Sequence, residues 1–326
     1  MSLSANPKWL EYWVLMSNQD PNDGRPEVAN RPLHIELIST QSSQMPLQVP
    51  RAAPPRRRRI RLPVLLFVAT CLSTLFVATP CRETPFGFEC DILEGLKYAL
   101  PVMTILICHE AGHFFQSRRY RVHSSLPYFI PMPLGPLGTF GAVIGMDSHI
   151  PNRRALFDIG ISGPLAGLVP TVVFCVLGLH WSHYAVGQDQ FGDPLLLKWI
   201  AYVVLGPQPA GHVIAVHPTA FAAWVGLLIT AVNLMPIGQL DGGHVLYSLL
   251  GKKAHLVARL LLFAGVAAVV LSHYYAWTLM LCLMMIMGTD HPPTADDRPP
   301  LGLWRTILGW LTLAFIPIGF TPTPIM

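Results

Sequence analysis

Three side chains that could bind or activate a metal ion lie within one five-residue segment, HEAGH at residues 109–113. In a helix, residues i and i+4 lie on the same face, so the imidazoles of His109 and His113 can point at a single ion. Glu110 lies between them and can reach a water molecule at that ion. This pattern is typical of metal-dependent hydrolases. The alternative is that these three side chains only hydrogen-bond one another.

A third metal-ligand candidate, Asp241, lies on a later apolar segment. Catalytic zinc sites usually have three protein ligands and leave a fourth position open. Asp241 follows Pro236 and precedes Gly242-Gly243, which indicates a helix broken where the carboxylate stands, as expected at a polar cavity. Asp241 could instead be an interfacial cap or turn residue. His244 is interpreted as an orienting or structural residue, because a fourth protein ligand would close the open position.

The segments that carry these residues are apolar enough to lie in a membrane. The chain of 326 residues is 52% hydrophobic and 12% charged, whereas soluble domains average about 25% charged residues. A membrane-spanning helix needs about 20 residues, with about 17 as the lower limit. We therefore expect an all-α polytopic membrane protein with six to seven transmembrane helices. The apolar stretches are 62–79, 96–117, 155–179, 218–236, 255–272, 302–320 and the marginal 274–289.

One region between the apolar stretches does not fit a simple transmembrane helix. Residues 120–152 are rich in Pro and Gly, with β-prone pieces at Tyr128–Ile130 and Phe140–Ile144. They predict a short hairpin or β-prone re-entrant segment, which is tolerated at membrane depth only where it is buried in protein or lines a cavity. Residues 1–60 are mostly polar and predict a disordered N-terminal segment. The remaining residues, 61–326, are expected to form one membrane domain.

The basic residues predict an orientation in the membrane. Arg56–Arg59 precede the first apolar stretch and place the N-terminus in the cytoplasm. Arg118 and Arg119 then follow the second stretch on the same side, so the HEAGH segment is expected near the cytoplasmic face. The loop between these stretches faces outside, where Cys81 and Cys90 could pair in an oxidising compartment or remain two free thiols. No basic patch is interleaved with aromatic residues, so no nucleic-acid partner is expected.

Several separated motifs together resemble the site-2 protease family of intramembrane zinc metalloproteases. HEAGH matches the HExxH pattern of the family, and NLMPIGQLDGG at residues 233–243 matches its asparagine-x-x-proline stretch leading to LDG. The segments SLPYFIPMPLGPLGTFGAVI and RRALFDIGISGPLAGL also agree, so that the resemblance covers about residues 62–290. With no PDZ insertion visible, the chain is more similar to the compact, PDZ-less bacterial members, including those related to plastid forms.

The resemblance implies a set of roles for the residues above. It implies Zn²⁺ bound by His109, His113 and Asp241, with Glu110 as general base and acid. Asn233 stands at the asparagine position of the family and would hold the substrate backbone or the developing oxyanion; the alternative is that it only bonds the broken helix. Gly160, Gly163, Pro164 and Gly167 are interpreted as small residues that let helices approach closely, a structural role.

The implied function is cleavage of a membrane-spanning protein substrate near the cytosolic face, as in regulated intramembrane proteolysis. The expected partners are the lipid bilayer and a membrane-tethered regulator, such as an anti-sigma factor, and the expected location is a bacterial inner membrane. The alternative is a non-proteolytic membrane metal-binding or transport protein. Glu110 distinguishes the two functions, because hydrolysis needs a base at that position and transport does not.

Overall fold

The computed structural model describes residues 60–84, 87–147, 149–187 and 192–323. The predicted disordered segment 1–60 lies outside these ranges except for its last residue, and it stays a prediction. The described helices are α1 (Arg61–Ala78), α2 (Ile92–Arg119), α3 (Arg153–His180), α4 (Leu195–Leu205), α5 (Pro218–Asn233), α6 (Asp241–Leu250), α7 (Ala254–Ser272), α8 (Thr278–Met287), α9 (Leu303–Ala314) and α10 (Ile316–Gly319). The strands are β1 (Cys81–Thr84), β2 (Gly87–Cys90), β3 (Tyr128–Met132), β4 (Gly138–Val143), β5 (His183–Val186) and β6 (His212–Ala215).

Four helical stretches of the described chain are long and apolar enough to cross a membrane. They are α1, α2, α3 and the 32-residue stretch Asp241–Ser272, in which a 3-10 turn joins α6 to α7. The stretches predicted at 218–236, 274–289 and 302–320 correspond to shorter apolar helices, 218–233, 275–287 and 303–319. The protein is therefore mostly helical with four candidate membrane spans, and the number six to seven stays a prediction.

The two longest helices begin and end at residues whose chemistry suits a helix terminus. Asp91 caps α2 by accepting hydrogen bonds from the backbone N–H groups of Leu93 and Glu94. Asn152 caps α3 in the same way, through the N–H of Ala155. These side chains satisfy donors that have no partner within the helix. Arg118 and Arg119 lie in the last turn of α2, where positive charge is favoured by the helix dipole.

Helices α2, α3 and α5 pack against one another and form the core next to the HEAGH segment. The approach of α3 to α5 is close, since a Cβ on Gly178 would lie 2.2 Å from the backbone nitrogen of Ala220. The fully buried side chains of this core come from all three helices: Val102, Leu106, Cys175, Leu179, Val225 and Leu227.

The predicted β-prone region forms a hairpin. Strands β3 and β4 pair antiparallel, with Tyr128 opposite Val143 and Met132 opposite Gly138. The hairpin packs on α1, where the hydroxyl of Ser73 donates to the carbonyl of Gly138 at 2.7 Å. The hairpin is thereby confirmed, whereas a re-entrant position in the membrane stays a prediction.

A disulfide joins the ends of another small hairpin. Strands β1 and β2 are antiparallel with Cys81 opposite Cys90, and the two cysteines are bonded. The sequence left open whether Cys81 and Cys90 pair or remain free thiols. In the structure they pair. The other cysteines, Cys71, Cys108, Cys175 and Cys282, are free.

An ion pair fastens the last long helix to α3. The guanidinium of Arg305 in α9 donates two hydrogen bonds to the carboxylate of Asp158, at 2.8 and 2.9 Å. Tyr120, just beyond α2, donates its hydroxyl to the same carboxylate. Asp158 is largely shielded, with 16% of its side chain exposed. One carboxylate thus links α3, α9 and the end of α2.

Replacing Asp158 by Asn should destabilise the protein, because Arg305 would keep its charge and lose its bidentate partner. We expect a loss of about 2 kcal/mol, the range for hydrogen bonds to charged groups, measured by thermal unfolding in detergent. The matched control is Arg259→Gln, since Arg259 and its partner Asp290 are both more than half exposed. That change should cost less than about 1 kcal/mol. Equal losses in the two variants would contradict a special role for Asp158.

Candidate metal centre

Helix α2 places the HEAGH side chains on its buried face. His109, Glu110 and His113 are 3%, 4% and 6% exposed. The two histidines are one helical turn apart, and their Nε2 atoms lie 3.2 Å from each other. The two imidazoles therefore meet at one point, on the same face of α2.

Asp241 reaches the same point from a break between two helices. Helix α5 ends at Asn233, the chain turns, and Asp241 opens α6. The turn requires glycine: Gly238 has a φ of +56°, and a Cβ on Gly242 would lie 1.8 Å from the carbonyl oxygen of Leu234. The predicted broken helix is thereby observed, and its glycines allow the chain to fold back on itself.

The carboxylate of Asp241 bridges both imidazoles. Its Oδ2 lies 3.1 Å from Nε2 of His109, and its Oδ1 lies 3.2 Å from Nε2 of His113. These three residues are the group in the described chain whose ligand atoms all lie within 4.8 Å of one another. Bonds of ~2.0–2.2 Å to a tetrahedral ion imply about 3.3 Å between ligand atoms. The spacing and the donor types therefore fit zinc.

His113 is oriented for such a role by a backbone carbonyl. Its Nδ1 lies 2.8 Å from the carbonyl oxygen of Ile159 in α3. Because a carbonyl can only accept, Nδ1 carries the proton, and the lone pair of Nε2 is free to face the ligand group. Metal-ligating histidines commonly donate their second nitrogen in this way.

One face of α3 consists of glycines that make room for the histidines. A Cβ on Gly163 would lie 2.0 Å from Nε2 of His113, and a Cβ on Gly167 would lie 3.0 Å from Cβ of His109. Gly160, one turn earlier, faces His244: a Cβ on Gly160 would lie 2.8 Å from Cβ of His244. The sequence predicts close helix packing at these glycines. The structure adds that the space they leave is filled by imidazole rings.

Glu110 and Asn233 lie next to the ligand group. The carboxylate of Glu110 is close enough to interact electrostatically with His109, His113 and Asp241. Nδ2 of Asn233 lies 3.4 Å from Nε2 of His109. Both predicted catalytic residues therefore lie next to the ligand residues, although neither belongs to the group of His109, His113 and Asp241.

His244 lies outside the ligand group and bonds a histidine that the sequence analysis missed. Its Nδ1 lies 2.6 Å from Nε2 of His291, whose Nδ1 lies 2.6 Å from the carbonyl oxygen of Pro292. Tyr247 stacks on the ring of His291. Nothing in the sequence singles out His291, because it follows an apolar helix in a proline-rich stretch where solvated histidines are ordinary.

Burial keeps His291 neutral. Desolvation lowers the pKa of its imidazole to about 4, although the hydrogen bond to the carbonyl of Pro292 favours the protonated form. At neutral pH the ring therefore carries one proton, and one of its nitrogens can only accept.

Comparison with known proteins finds similar chains in plants. The chain is 32% identical over 256 residues to "Probable zinc metalloprotease EGY1, chloroplastic" of Arabidopsis thaliana, covering 76% of this chain and 46% of that protein. It is 34% identical over 226 residues to the protein of the same name from Oryza sativa subsp. japonica, covering 65% and 38%. "Probable zinc metalloprotease EGY2, chloroplastic" of Arabidopsis thaliana is 29% identical over 276 residues, covering 78% and 49%.

These matches bear on the bacterial assignment and on how much of each relative the chain covers. The chain spans about half or less of the length of these relatives. They are plant proteins, so they do not support the bacterial assignment made from the sequence. No solved structure matches the chain.

The sequence pattern of peptidase family M50 matches residues 97–272. That range is more than half of the chain, and it contains both histidines of HEAGH, the broken helix and Asp241. The resemblance to the site-2 proteases is confirmed, and the chain belongs to peptidase family M50.

Proposed function

We propose that this protein is an intramembrane zinc metalloprotease that cleaves a membrane-spanning protein substrate. The observation that carries the proposal is the buried group of His109, His113 and Asp241, with Glu110 beside it, inside apolar helices. Ionisable groups in membrane helices are costly and are a sign of function. The relatives named as probable zinc metalloproteases support the same activity.

The proposed ligands would be His109 and His113 through Nε2 and Asp241 through its carboxylate. Bound zinc supplies Lewis acidity, which polarises a carbonyl oxygen and makes water more acidic. Three protein ligands leave a fourth position open, as hydrolysis requires. The carbonyl of Ile159 holds the His113 ring so that Nε2 faces the other two ligands.

Glu110 would move the proton in the reaction. Its carboxylate accepts the proton of the attacking water and then delivers it to the leaving amine as the peptide C–N bond breaks. Asn233, beside His109, would donate its side-chain N–H to the carbonyl oxygen on which negative charge develops. The alternative role for Asn233, bonding the end of α5 alone, is distinguished by experiment below.

The β3–β4 hairpin offers a place for an unwound substrate. A helical substrate must unwind locally, because its peptide carbonyls are hydrogen-bonded within the helix. Within the described residues β4 pairs with β3 and with no second strand, and an extended substrate could pair with its other edge as an added strand. We propose that the substrate backbone adds at this edge.

The proposed orientation of the protein in the membrane is inferred from the positions of its basic residues. Arg118 and Arg119 end α2. Because basic residues are retained on the cytosolic side, the metal ligands would lie within the bilayer near that face. The substrate would be cut near that cytosolic face, and a membrane-tethered regulator, such as an anti-sigma factor, is the proposed partner. The bacterial inner membrane stays a prediction from the sequence. The relatives' names include the word chloroplastic, and a chloroplast membrane is the other proposed location.

Replacing Glu110 by Gln should lower cleavage of a co-expressed single-span protein by at least about a hundredfold, because the amide cannot accept the water proton. Zinc content, measured by mass spectrometry of the purified protein, should stay near one ion per chain. Retained cleavage would sink the proposed mechanism. Metal flux through proteoliposomes, without peptide cleavage by the unaltered protein, would favour the transport alternative.

Replacing Gly163 by Ala should reduce zinc content, since the added methyl group would collide with the His113 ring. The matched control is Gly265→Ala in α7, where a Cβ would meet only a leucine methyl at 3.2 Å. Both changes put alanine into a helix and should be neutral or favourable for the helix itself. Full zinc occupancy in both variants would mean that His113 is not held as described.

Replacing Asn233 by Ala should lower kcat by roughly 10²–10³ if its side chain stabilises the oxyanion. The KM and the zinc content should change little, because neither depends on charge that develops during the reaction. A merely structural Asn233 would instead show a lower unfolding temperature together with an unchanged kcat for the folded fraction. The pair of measurements separates the two roles.

A further inference from the structure

A cavity of about 250 Å³ lies beside the candidate metal centre. Three segments line it. They are the chain after β4, the turn before α6 together with the first turn of α6, and the chain after α8. Its lining includes Ile144, Met146, Asp147, Gln239, His244 and His291. Whole small-molecule ligands usually occupy about 300–1,000 Å³. A cavity of this size suits one side chain of a larger substrate.

The cavity is one helical turn away from the metal ligands. Gly160 faces His244 and Gly163 faces His113, and these glycines are three residues apart in α3. A helix rises 1.5 Å per residue, so the two imidazoles sit ~5 Å apart along α3. An extended substrate advances about 3.3 Å per residue. A side chain within two residues of the scissile bond can therefore reach the cavity.

The hydrogen bonds fix which polar atoms His244 can offer. Nδ1 of His291 donates to the carbonyl of Pro292, so its Nε2 accepts. Nδ1 of His244, 2.6 Å from that Nε2, must then be the donor. A neutral imidazole carries one N–H. Nε2 of His244 is consequently an acceptor.

A carboxylate lines the same cavity. Asp147 bonds the backbone N–H of His149 and lies 3.5 Å from its ring, and 49% of the Asp147 side chain remains exposed. No lysine or arginine is among the described residues that line the cavity. The walls at Ile144 and Met146 are apolar. The cavity thus combines apolar walls, a neutral acceptor and a negative charge.

We propose that this cavity is a subsite that binds a lysine or arginine side chain of the substrate, within two residues of the scissile bond. The apolar stem of such a side chain lies along Ile144 and Met146, and its charged head donates to Asp147 and to His244. Lysine and arginine cluster at the cytosolic ends of membrane spans. The substrate class is then a single-span protein cut next to the basic residue that ends its span. The inference rests on the proposed protease function.

The test uses synthetic single-span peptides that are identical except for Lys, Leu or Glu at one position. The variable residue is placed in turn at each position in the last two turns of the span, and mass spectrometry locates the scissile bond wherever cleavage occurs. Cleavage by the full-length zinc-loaded protein is measured in detergent micelles. Binding is measured separately by fluorescence anisotropy, with the Glu110→Gln variant. We expect Lys to exceed Glu by about tenfold at one position in both assays, a difference of about 1.4 kcal/mol.

Variants then assign the preference to the cavity. Asp147→Lys should reverse the preference to Glu, and the milder Asp147→Asn should reduce it. His244→Leu should weaken binding of the Lys peptide relative to binding of the Leu peptide. The control is Asp290→Asn, which removes an exposed carboxylate paired with Arg259 outside the cavity. It should leave the preference as it is.

The outcomes separate this inference from the proposed function. Cleavage with no preference, or a preference that Asp147→Lys and Asp147→Asn leave intact, would overturn the subsite while the protease stands. A Lys preference in binding that depends on Asp147, without cleavage by the zinc-loaded protein, would overturn the protease while the subsite stands. Absence of both cleavage and preference would overturn both.

Discussion

Two imidazoles and two carboxylates share one small volume inside apolar helices, and their cost of burial constrains everything around them. An ionisable group in a membrane interior is stable only when it is paired or faces a polar cavity. His109 and His113 come from one helical turn, but Asp241 lies 132 residues further along the chain than His109. Bringing that carboxylate to the histidines requires the break between α5 and α6. The glycines and the proline of the motif follow from this requirement.

Helix α3 contributes none of the three ligand side chains, yet it sets where the histidines lie. Gly160, Gly163 and Gly167 present a face without side chains, and imidazole rings fill the space that this leaves. The carbonyl of Ile159 on the same helix then selects the tautomer of His113. A helix that packs through its backbone atoms can approach its neighbour more closely. Its backbone carbonyls can then accept hydrogen bonds from side chains of that neighbour. Small residues here therefore serve the site as well as the packing of helices.

How much of the fold and of the site can be predicted from the sequence depends on how far apart along the chain the residues that determine each feature lie. HEAGH is local: helical spacing alone puts His109 and His113 together. Asp241 needed a second local signal, the proline and glycines of a broken helix, and the family resemblance joined the two. The β3–β4 hairpin was visible in its β-prone pieces.

Other features are properties of the folded chain and had no local signal. The contacts of His291 with His244 and of Arg305 with Asp158 join segments that composition cannot bring together. The number of spans has no local signal either, for a related reason. Apolar composition does not say where a helix stops, and α5 stops at Asn233, before the proline, after only 16 residues.

Helix α6 connects the ligand group to the neighbouring cavity, and its short length makes the connection stiff. It has 10 residues, about 15 Å, with Asp241 at its start and His244 one turn later. Its last carbonyls, on Ser248 and Leu249, accept hydrogen bonds from Arg153 at the start of α3. Because the helix is held at both ends, a side chain that displaced His244 would also displace the carboxylate of Asp241. In the proposed subsite, a substrate residue that fits the cavity would leave the ligand geometry intact, whereas an oversized one would strain it. Binding and catalysis would then be coupled through a single helix.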